Sequence, residues 1–232
     1  NMQFIRYPGS VVVLRDFFSD AKTNNFFSVC DEVIKKSKLI SANHGRVLNM
    51  LFDQAPSLRE KFLDPKLVEQ LSKIAQCDSS ELRITRHSDY HINTIGNWHT
   101  DLDMGYCTRD EAQEAGIFKF GIFMANEAHL DKIGTQFRNR SGRFRPKLQK
   151  NDILIFPVGI EHRGYCGKFV TRLVKLLLKP LKLRSQNINK YLYSFLGEPD
   201  RKAIFFTFGR DSVALTKFES NNLARAKIQN NT

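Results

Sequence analysis

The feature that most constrains the fold of this chain is a set of three metal-ligand residues divided between two distant segments. His99 and Asp101 are separated by one residue, and His162 follows far downstream. Two histidines and one carboxylate can occupy one face of an octahedral metal ion and leave the opposite face open, which is typical of mononuclear non-haem iron(II) sites. The two segments must therefore meet in space if they serve one ion.

The spacing of His99 and Asp101 predicts that both side chains point to one face of a β-strand, because side chains alternate along a strand. Such a triplet alone arises by chance, but this one follows Trp98, and His162 comes after a proline-containing turn. We therefore predict that His99, Asp101 and His162 ligate one metal ion. Asp103 places a second carboxylate on the same face, where it could orient a ligand by a hydrogen bond or be a solvated loop acid.

A downstream arginine, Arg172, extends this pattern. It lies in an alternating segment, on the same predicted face as Val170 and Val174. A charge on an inward, apolar face needs a counter-ion. A planar guanidinium can bind a carboxylate in two-pronged fashion, as a keto-acid co-substrate requires. The alternative partner is an acid of the protein itself.

Three other polar side chains each have two interpretations. Lys119 is either a buried lysine that helps to bind a co-substrate or an edge-strand lysine that protects against aggregation. His87 and His91 either line the pocket or are ordinary loop residues, and loop histidines are the commoner case.

Length and pattern predict one domain of three parts. A chain of 232 residues with 41% hydrophobic content is long enough for a sizeable core. We expect residues 1–80 to be helix-rich, residues 81–180 to form a β-sheet core with the metal site, and residues 181–232 to cover it. The expected helices are 19–38, 65–75, 188–196 and 212–227, and the expected strands are 82–84, 117–124, 152–157, 159–166, 170–178 and 203–208.

Charge and cysteine usage bear on partners and compartment. The net charge of +12 can favour anionic partners. The densest basic stretch of the sequence, residues 138–150, is predicted to be a solvated loop. The four cysteines are widely spaced in a chain too long to need disulfides, which favours a reducing, cytoplasmic setting. No apolar run approaches the length of a membrane span.

Taken with the triad and Arg172, the segments 96–101, 134–137 and 151–156 resemble the Fe(II)/2-oxoglutarate-dependent dioxygenases. The branch that they resemble is the phytanoyl-CoA hydroxylase-like group, and the resemblance covers roughly residues 81–180. It implies a mainly β protein with flanking helices (α+β), built as a double-stranded β-helix, which is a cupin-like jelly roll of two antiparallel sheets.

The resemblance also implies the cofactors and their ligands. His99, Asp101 and His162 would hold Fe(II), 2-oxoglutarate would chelate the metal, and Arg172 would bind its distal carboxylate. Further contacts to the co-substrate are expected from a small set of polar side chains: Lys119, Thr135 and Gln136.

The implied reaction is hydroxylation or desaturation of a small, anionic metabolite with O2, releasing succinate and CO2. One alternative is an oxygenase that acts on a macromolecule, a nucleic acid or a protein, which the charge allows but no stacking-aromatic groove supports. Another is a non-enzymatic, cupin-like metal-binding module or a zinc protein, since zinc accepts the same ligands. Arg172 is the residue that discriminates between these functions.

Overall fold

The computed structural model describes residues 3–37, 40–42, 45–94, 97–104, 107–125, 130, 133–166 and 201–231. Its strands are β1 (Gln3–Tyr7), β2 (Val11–Arg15), β3 (Ile40–Ala42), β4 (Gly45–Asn49), β5 (Leu82–Ile92), β6 (Phe118–Met124), β7 (Ile133–Asn139), β8 (Gly142–Phe144), β9 (Ile153–Pro157), β10 (Glu161–Cys166) and β11 (Lys202–Arg210). Its helices are α1 (Asp20–Ile34), α2 (Leu51–Gln54), α3 (Pro56–Phe62), α4 (Pro65–Ala75), α5 (Arg109–Glu114) and α6 (Val213–Asn231).

The strands form two antiparallel sheets. The major sheet has eight strands in the order β1-β2-β9-β6-β11-β5-β4-β3, and the minor sheet has three in the order β10-β7-β8. Every described strand pair is antiparallel. The prediction of a mainly β domain with flanking helices is confirmed.

The centre of the major sheet is covered on both faces. Along β11, Ala203 and Phe205 pack into an apolar cluster shared with the minor sheet, whereas Ile204 and Phe206 pack into a cluster shared with helices α1, α3 and α4. A strand buried on both faces reads as a continuous apolar run, which accounts for the sequence of β11.

Phenylalanines fill the layer between the helices and the major sheet. The ring of Phe62 in α3 lies 4.5 Å from Phe26, 5.4 Å from Phe120 and 5.1 Å from Phe206, measured between centroids. Aromatic pairs at such distances add to the stabilisation from buried area. The high phenylalanine content therefore serves packing.

The first eighty residues contain more β-structure than the sequence analysis predicts. Helices α1 and α4 are confirmed, and Ser19 caps α1 by accepting a hydrogen bond from the Lys22 amide. The same region also supplies β1 to β4, and β2 pairs with β9 inside the major sheet. The run Val11–Arg15 is the signal for β2, since β-branched residues favour strands.

The predicted strand 203–208 is confirmed as part of β11, which lies between β6 and β5 in the major sheet, so the residues after 180 also contribute to the core. The terminal helix is confirmed as α6. The predicted strand 170–178 and helix 188–196 lie outside the described residues. Among the helices that the structure describes, none combines the length and apolarity that crossing a bilayer requires.

The N-terminus of α4 offers a stability test away from the cavity. The Asp64 carboxylate accepts hydrogen bonds from the amides of Lys66 and Leu67 and from the Lys22 ammonium, at 2.9 Å for the last. We expect Asp64→Ala to lower the free energy of unfolding by about 1 kcal/mol at pH 7, because two amides lose their acceptor. Urea denaturation measures the change, and Asp64→Asn, which keeps a capping oxygen, should cost less.

This contribution should depend on pH. The hydrogen bond from Lys22 is the largest cause that holds the pKa of Asp64 below its usual value. A carboxyl group with a lowered pKa in the folded state stabilises the fold above the unfolded-state pKa of about 4, and the contribution is lost as the pH falls through the folded-state pKa. The difference between the wild type and Asp64→Ala should therefore shrink between pH 7 and pH 3. An unchanged difference would contradict the charged cap.

Candidate metal centre

His99 and His162 meet across a short antiparallel bridge. The His99 amide donates to the His162 carbonyl at 3.1 Å, and the His162 amide donates to the His99 carbonyl at 2.9 Å. The Asp101 amide donates to the Val158 carbonyl at 3.0 Å, which places its side chain beside the two rings. One potential ligand atom from each of the three residues lies within 4.8 Å of the others. The structure therefore brings the three predicted residues together.

The local backbone differs from the predicted strand. His99 forms only an isolated bridge, and Asp101 begins a 3₁₀ turn, Asp101–Met104. The two side chains thus converge because the chain turns after Thr100, not because they alternate along one strand. Asp103 lies in the same turn, and its side chain is outside what the structure describes.

Backbone carbonyl groups orient both imidazole rings. Nδ1 of His99 lies 2.8 Å from the Asn97 carbonyl, and Nδ1 of His162 lies 3.0 Å from the Ile160 carbonyl. A carbonyl only accepts, so each Nδ1 carries the proton and each neutral ring keeps a lone pair on Nε2. These Nε2 atoms lie 3.9 and 3.7 Å from Oδ1 of Asp101. Metal-ligating histidines are commonly held in this way.

Burial and charge keep these groups in the protonation states that a metal needs. Burial is the largest cause that lowers the pKa of His162 to about 4, so its ring is neutral at pH 7. Burial alone would raise the pKa of Asp101, but the Lys119 ammonium and the neighbouring imidazoles outweigh it and hold that pKa well below its usual range. The site thus presents the Asp101 carboxylate and a neutral His162 imidazole at pH 7.

An incompletely satisfied carboxylate oxygen completes the fit. Nζ of Lys119 lies 3.2 Å from both oxygens of Asp101 and donates a hydrogen bond to Oδ1. Oδ2 is buried and accepts no hydrogen bond within the described residues. Beyond its ion pair with Lys119, this buried anionic oxygen keeps acceptor capacity that a second cation could use. The donor set of His99, Asp101 and His162 therefore fits a divalent transition metal.

A cavity opens beside the triad, between the two sheets. The cavity is small, with a volume of about 50 Å³, which is several times the roughly 10–15 Å³ that one water molecule needs. Its walls combine polar and aromatic groups, contributed by His91, Thr94, His99, Lys119, Thr135, Phe156, His162, Gly164, Arg201 and Phe205.

The cavity wall also contains Arg201, which the sequence analysis does not predict to bind the co-substrate. It directly precedes β11, and only 1% of its surface is exposed. Its guanidinium donates to Oγ1 of Thr94 at 3.1 Å and to the Gly134 carbonyl at 3.2 Å, and it lies 5.3 Å from the Phe123 ring centroid. The cavity wall therefore contains a guanidinium in a fixed orientation.

The other predicted co-substrate residues divide into three groups. Lys119 and Thr135 line the cavity, and Lys119 lies on β6 in the interior of the major sheet, so the edge-strand interpretation is wrong. Gln136 faces away, because successive side chains alternate along β7, and it accepts hydrogen bonds from Arg163 at 2.9 and 2.7 Å. Arg172 lies outside the described residues.

The two upstream histidines lie on β5 and not in a loop. His91 lines the cavity, and its Nδ1 lies 3.0 Å from Oγ1 of Thr94. Nε2 of His87 lies 3.6 Å from the buried carboxylate of Asp89. Burial lowers the pKa of both histidines, so both rings are neutral at pH 7.

Comparison with known proteins finds matches among solved structures but none by sequence. No protein-family model and no curated protein matches the sequence. SnoN, a non-haem α-ketoglutarate-dependent epimerase from nogalamycin biosynthesis, superposes with a TM-score of 0.59 at 8% identity, over 87% of this chain and 78% of SnoN. HygX from Streptomyces hygroscopicus, with nickel and 2-oxoglutarate bound, gives 0.57 at 11% identity, over 88% and 83%.

A third solved structure agrees with these two. EctD from S. alaskensis, with bound Fe, gives a TM-score of 0.57 at 12% identity, over 87% of this chain and 73% of EctD. Likeness at this level of identity establishes the fold and leaves the phytanoyl-CoA hydroxylase-like branch a prediction. The chain therefore has the double-stranded β-helix fold that these iron- and 2-oxoglutarate-binding structures share.

Proposed function

We propose that this protein is an Fe(II)- and 2-oxoglutarate-dependent oxygenase. The observation that carries the proposal is one cavity with a two-histidine, one-carboxylate triad and the buried guanidinium of Arg201 in its wall. His99, Asp101 and His162 would hold the metal. When bound, Fe(II) would supply the redox chemistry that couples O2 to oxidation of the keto acid and of a substrate.

Arg201 is the group that we assign to the distal carboxylate of 2-oxoglutarate. Its planar fork suits two-pronged recognition of a carboxylate. Thr94 and Gly134 hold the fork in place, so little side-chain entropy remains to be lost on binding. The hydroxyl group of Thr135 is a further candidate contact in the same wall. Arg172, predicted from its distance after His162, is the competing candidate.

Lys119 has a different part in this proposal. Its ammonium contacts the carboxylate of Asp101 directly, so we assign it to balancing the charge of the ligand set. Phe156 and Phe205 give the cavity apolar walls, and such walls keep bulk water from reactive groups.

We propose that the substrate is a small molecule, which is hydroxylated or desaturated. Loops around the shared core would determine which small molecule binds. Two relatives of the same fold support the size class, since HygX has been solved with hygromycin B and SnoN with nogalamycin RO. The net charge of +12 supports an anionic substrate.

Turnover without the substrate tests the proposal. Fe(II)-loaded wild-type protein should slowly convert 2-oxoglutarate to succinate in the presence of O2, as measured by mass spectrometry of the product. His162→Ala should lower this rate by at least about 100-fold, because the metal loses a buried ligand. Equal rates in the two proteins, or succinate that forms without protein-bound iron, would contradict the proposal.

A further inference from the structure

A cluster of arginines surrounds one tryptophan on the outer face of the minor sheet. The guanidinium carbons of Arg163, Arg138 and Arg143 lie 4.6, 5.0 and 5.5 Å from the ring centroid of Trp98. We call these four residues the arginine–tryptophan cluster. Cation–π contacts with one indole ring partly stabilise several guanidinium groups, but the ring carries no net negative charge.

Strand alternation places the cluster across the sheet from the metal centre. On β10, His162 is buried and faces the cavity, so its neighbour Arg163 faces outwards. On β7, Phe137 is buried between the sheets, so its neighbour Arg138 also faces outwards. The cluster is thus separate from the cavity, and no metal contact is needed to form it.

The positive charge of the cluster exceeds the negative charge beside it. Arg138 is paired with Glu161, with Nε 2.8 Å from Oε2. Arg163 donates to Gln136, which is neutral. Arg143 is exposed, and no acid among the described residues pairs with it. Two guanidinium groups therefore converge on Trp98, and no carboxylate of the described residues balances them.

The register of the strands makes this excess charge unfavourable. Arg138 and Arg143 are direct cross-strand partners in the pairing of β7 with β8. Like charges that face each other across an antiparallel pair are destabilising. A bound anion would relieve this repulsion between the two guanidinium groups.

We propose that the arginine–tryptophan cluster is a binding site for a phosphate group. A phosphate carries up to two negative charges and three acceptor oxygens, so one group can accept from the forks of Arg143 and Arg163 together. The phosphate belongs to a small ligand or to a nucleic acid strand, two sources of the same chemistry. The site would give the basic hairpin of β7 and β8 a specific function.

The chain carries its own reporter for this site, because Trp98 is its one tryptophan. The probes are inorganic phosphate and a short single-stranded oligonucleotide, each titrated into the full-length protein at 50 mM salt. A saturable change in tryptophan fluorescence is expected with at least one of them. Calorimetry gives the dissociation constants independently of the indole.

Two arginines of one hairpin provide a matched pair of variants. Arg143→Gln removes a cluster member, whereas Arg140→Gln removes the same charge from an exposed position with no recorded contact to Trp98. We expect Arg143→Gln to weaken binding by about tenfold or more, the size of a lost charge-assisted hydrogen bond. Arg140→Gln should change it by less than about twofold. Both positions are exposed, so both variants should fold.

Each outcome decides the proposal. Loss of phosphate binding in Arg143→Gln alone supports the site with a small ligand as the source. Binding of only the oligonucleotide, with the same selective loss, supports the site with a nucleic acid as the source. Equal losses in the two variants would indicate diffuse surface charge and overturn the proposal, as would the absence of binding by either probe. Succinate formation from 2-oxoglutarate should be unchanged in Arg143→Gln, so this test is independent of the proposed oxygenase activity.

Discussion

Asp101→Asn should abolish tight Fe(II) binding while leaving the fold intact. The substitution keeps the shape of the side chain but removes the one negative charge among the three ligands. It also leaves the Lys119 ammonium, 3.2 Å from both oxygens in the wild type, without a counter-charge beside the metal position. Removing a residue that only supports a ligand typically costs about 10- to 100-fold in metal affinity. We therefore expect a loss of more than about 100-fold.

Anaerobic calorimetry with Fe(II) measures this change, and Asp103→Asn is the matched control. Asp103 lies in the same 3₁₀ turn and loses the same charge when it is substituted. We expect the Asp103 variant to retain metal affinity within about threefold, the size of a charge effect without ligation. The assignment of ligands would be wrong if Asp103→Asn lost the metal and Asp101→Asn kept it.

Arg201→Leu should lose 2-oxoglutarate while it retains the metal. Truncating one partner of a buried, hydrogen-bonded charge pair costs about 2–5 kcal/mol, which corresponds to at least about a 30-fold rise in Kd. Arg201→Lys keeps the positive charge but loses the planar fork, so its affinity should lie between those of the wild type and the leucine variant. Equilibrium binding of 2-oxoglutarate to the metal-loaded protein measures all three affinities.

Arg172→Leu tests the competing candidate for the distal carboxylate of 2-oxoglutarate. If Arg201 binds the distal carboxylate, the Arg172 variant should bind 2-oxoglutarate within about twofold of the wild type. The opposite pattern, with affinity lost in Arg172→Leu and kept in Arg201→Leu, would restore the prediction from sequence spacing. Thermal unfolding of each variant separates a local effect from loss of the fold, since the Arg201 side chain is buried.

The chemistry of the metal centre could be predicted from sequence because it depends on residue types. His99, Asp101 and His162 form a donor set whether the backbone between the first two is a strand or a turn. The turn itself could not be predicted, because Asp101 is fixed by a hydrogen bond to Val158, a contact between distant segments. Periodicity reports local conformation and carries no information on such contacts.

Arg201, the candidate that we propose, could not be selected from the sequence, because spacing along the chain does not report sheet topology. Arg172 follows His162 at a short distance in sequence, but the strand that flanks β5 and β6 is β11, which begins at Lys202. Residues 167–201 separate β10 from β11, so a basic group at the start of β11 lies far downstream of His162. The same reasoning applies to β2, whose pairing with β9 brings Val12 beside Ile155. Long-range pairing of this kind leaves no local pattern.

Anaerobic addition of Fe(II) and then 2-oxoglutarate to the metal-free protein tests whether the cavity binds both together. We expect a visible metal-to-ligand charge-transfer band that appears only when both are present, with one equivalent of each at saturation. The band should be absent in Asp101→Asn and Arg201→Leu at concentrations that saturate the wild type. No band in the wild type, together with tight binding of zinc, would contradict the account and favour a zinc site or a non-enzymatic metal-binding module.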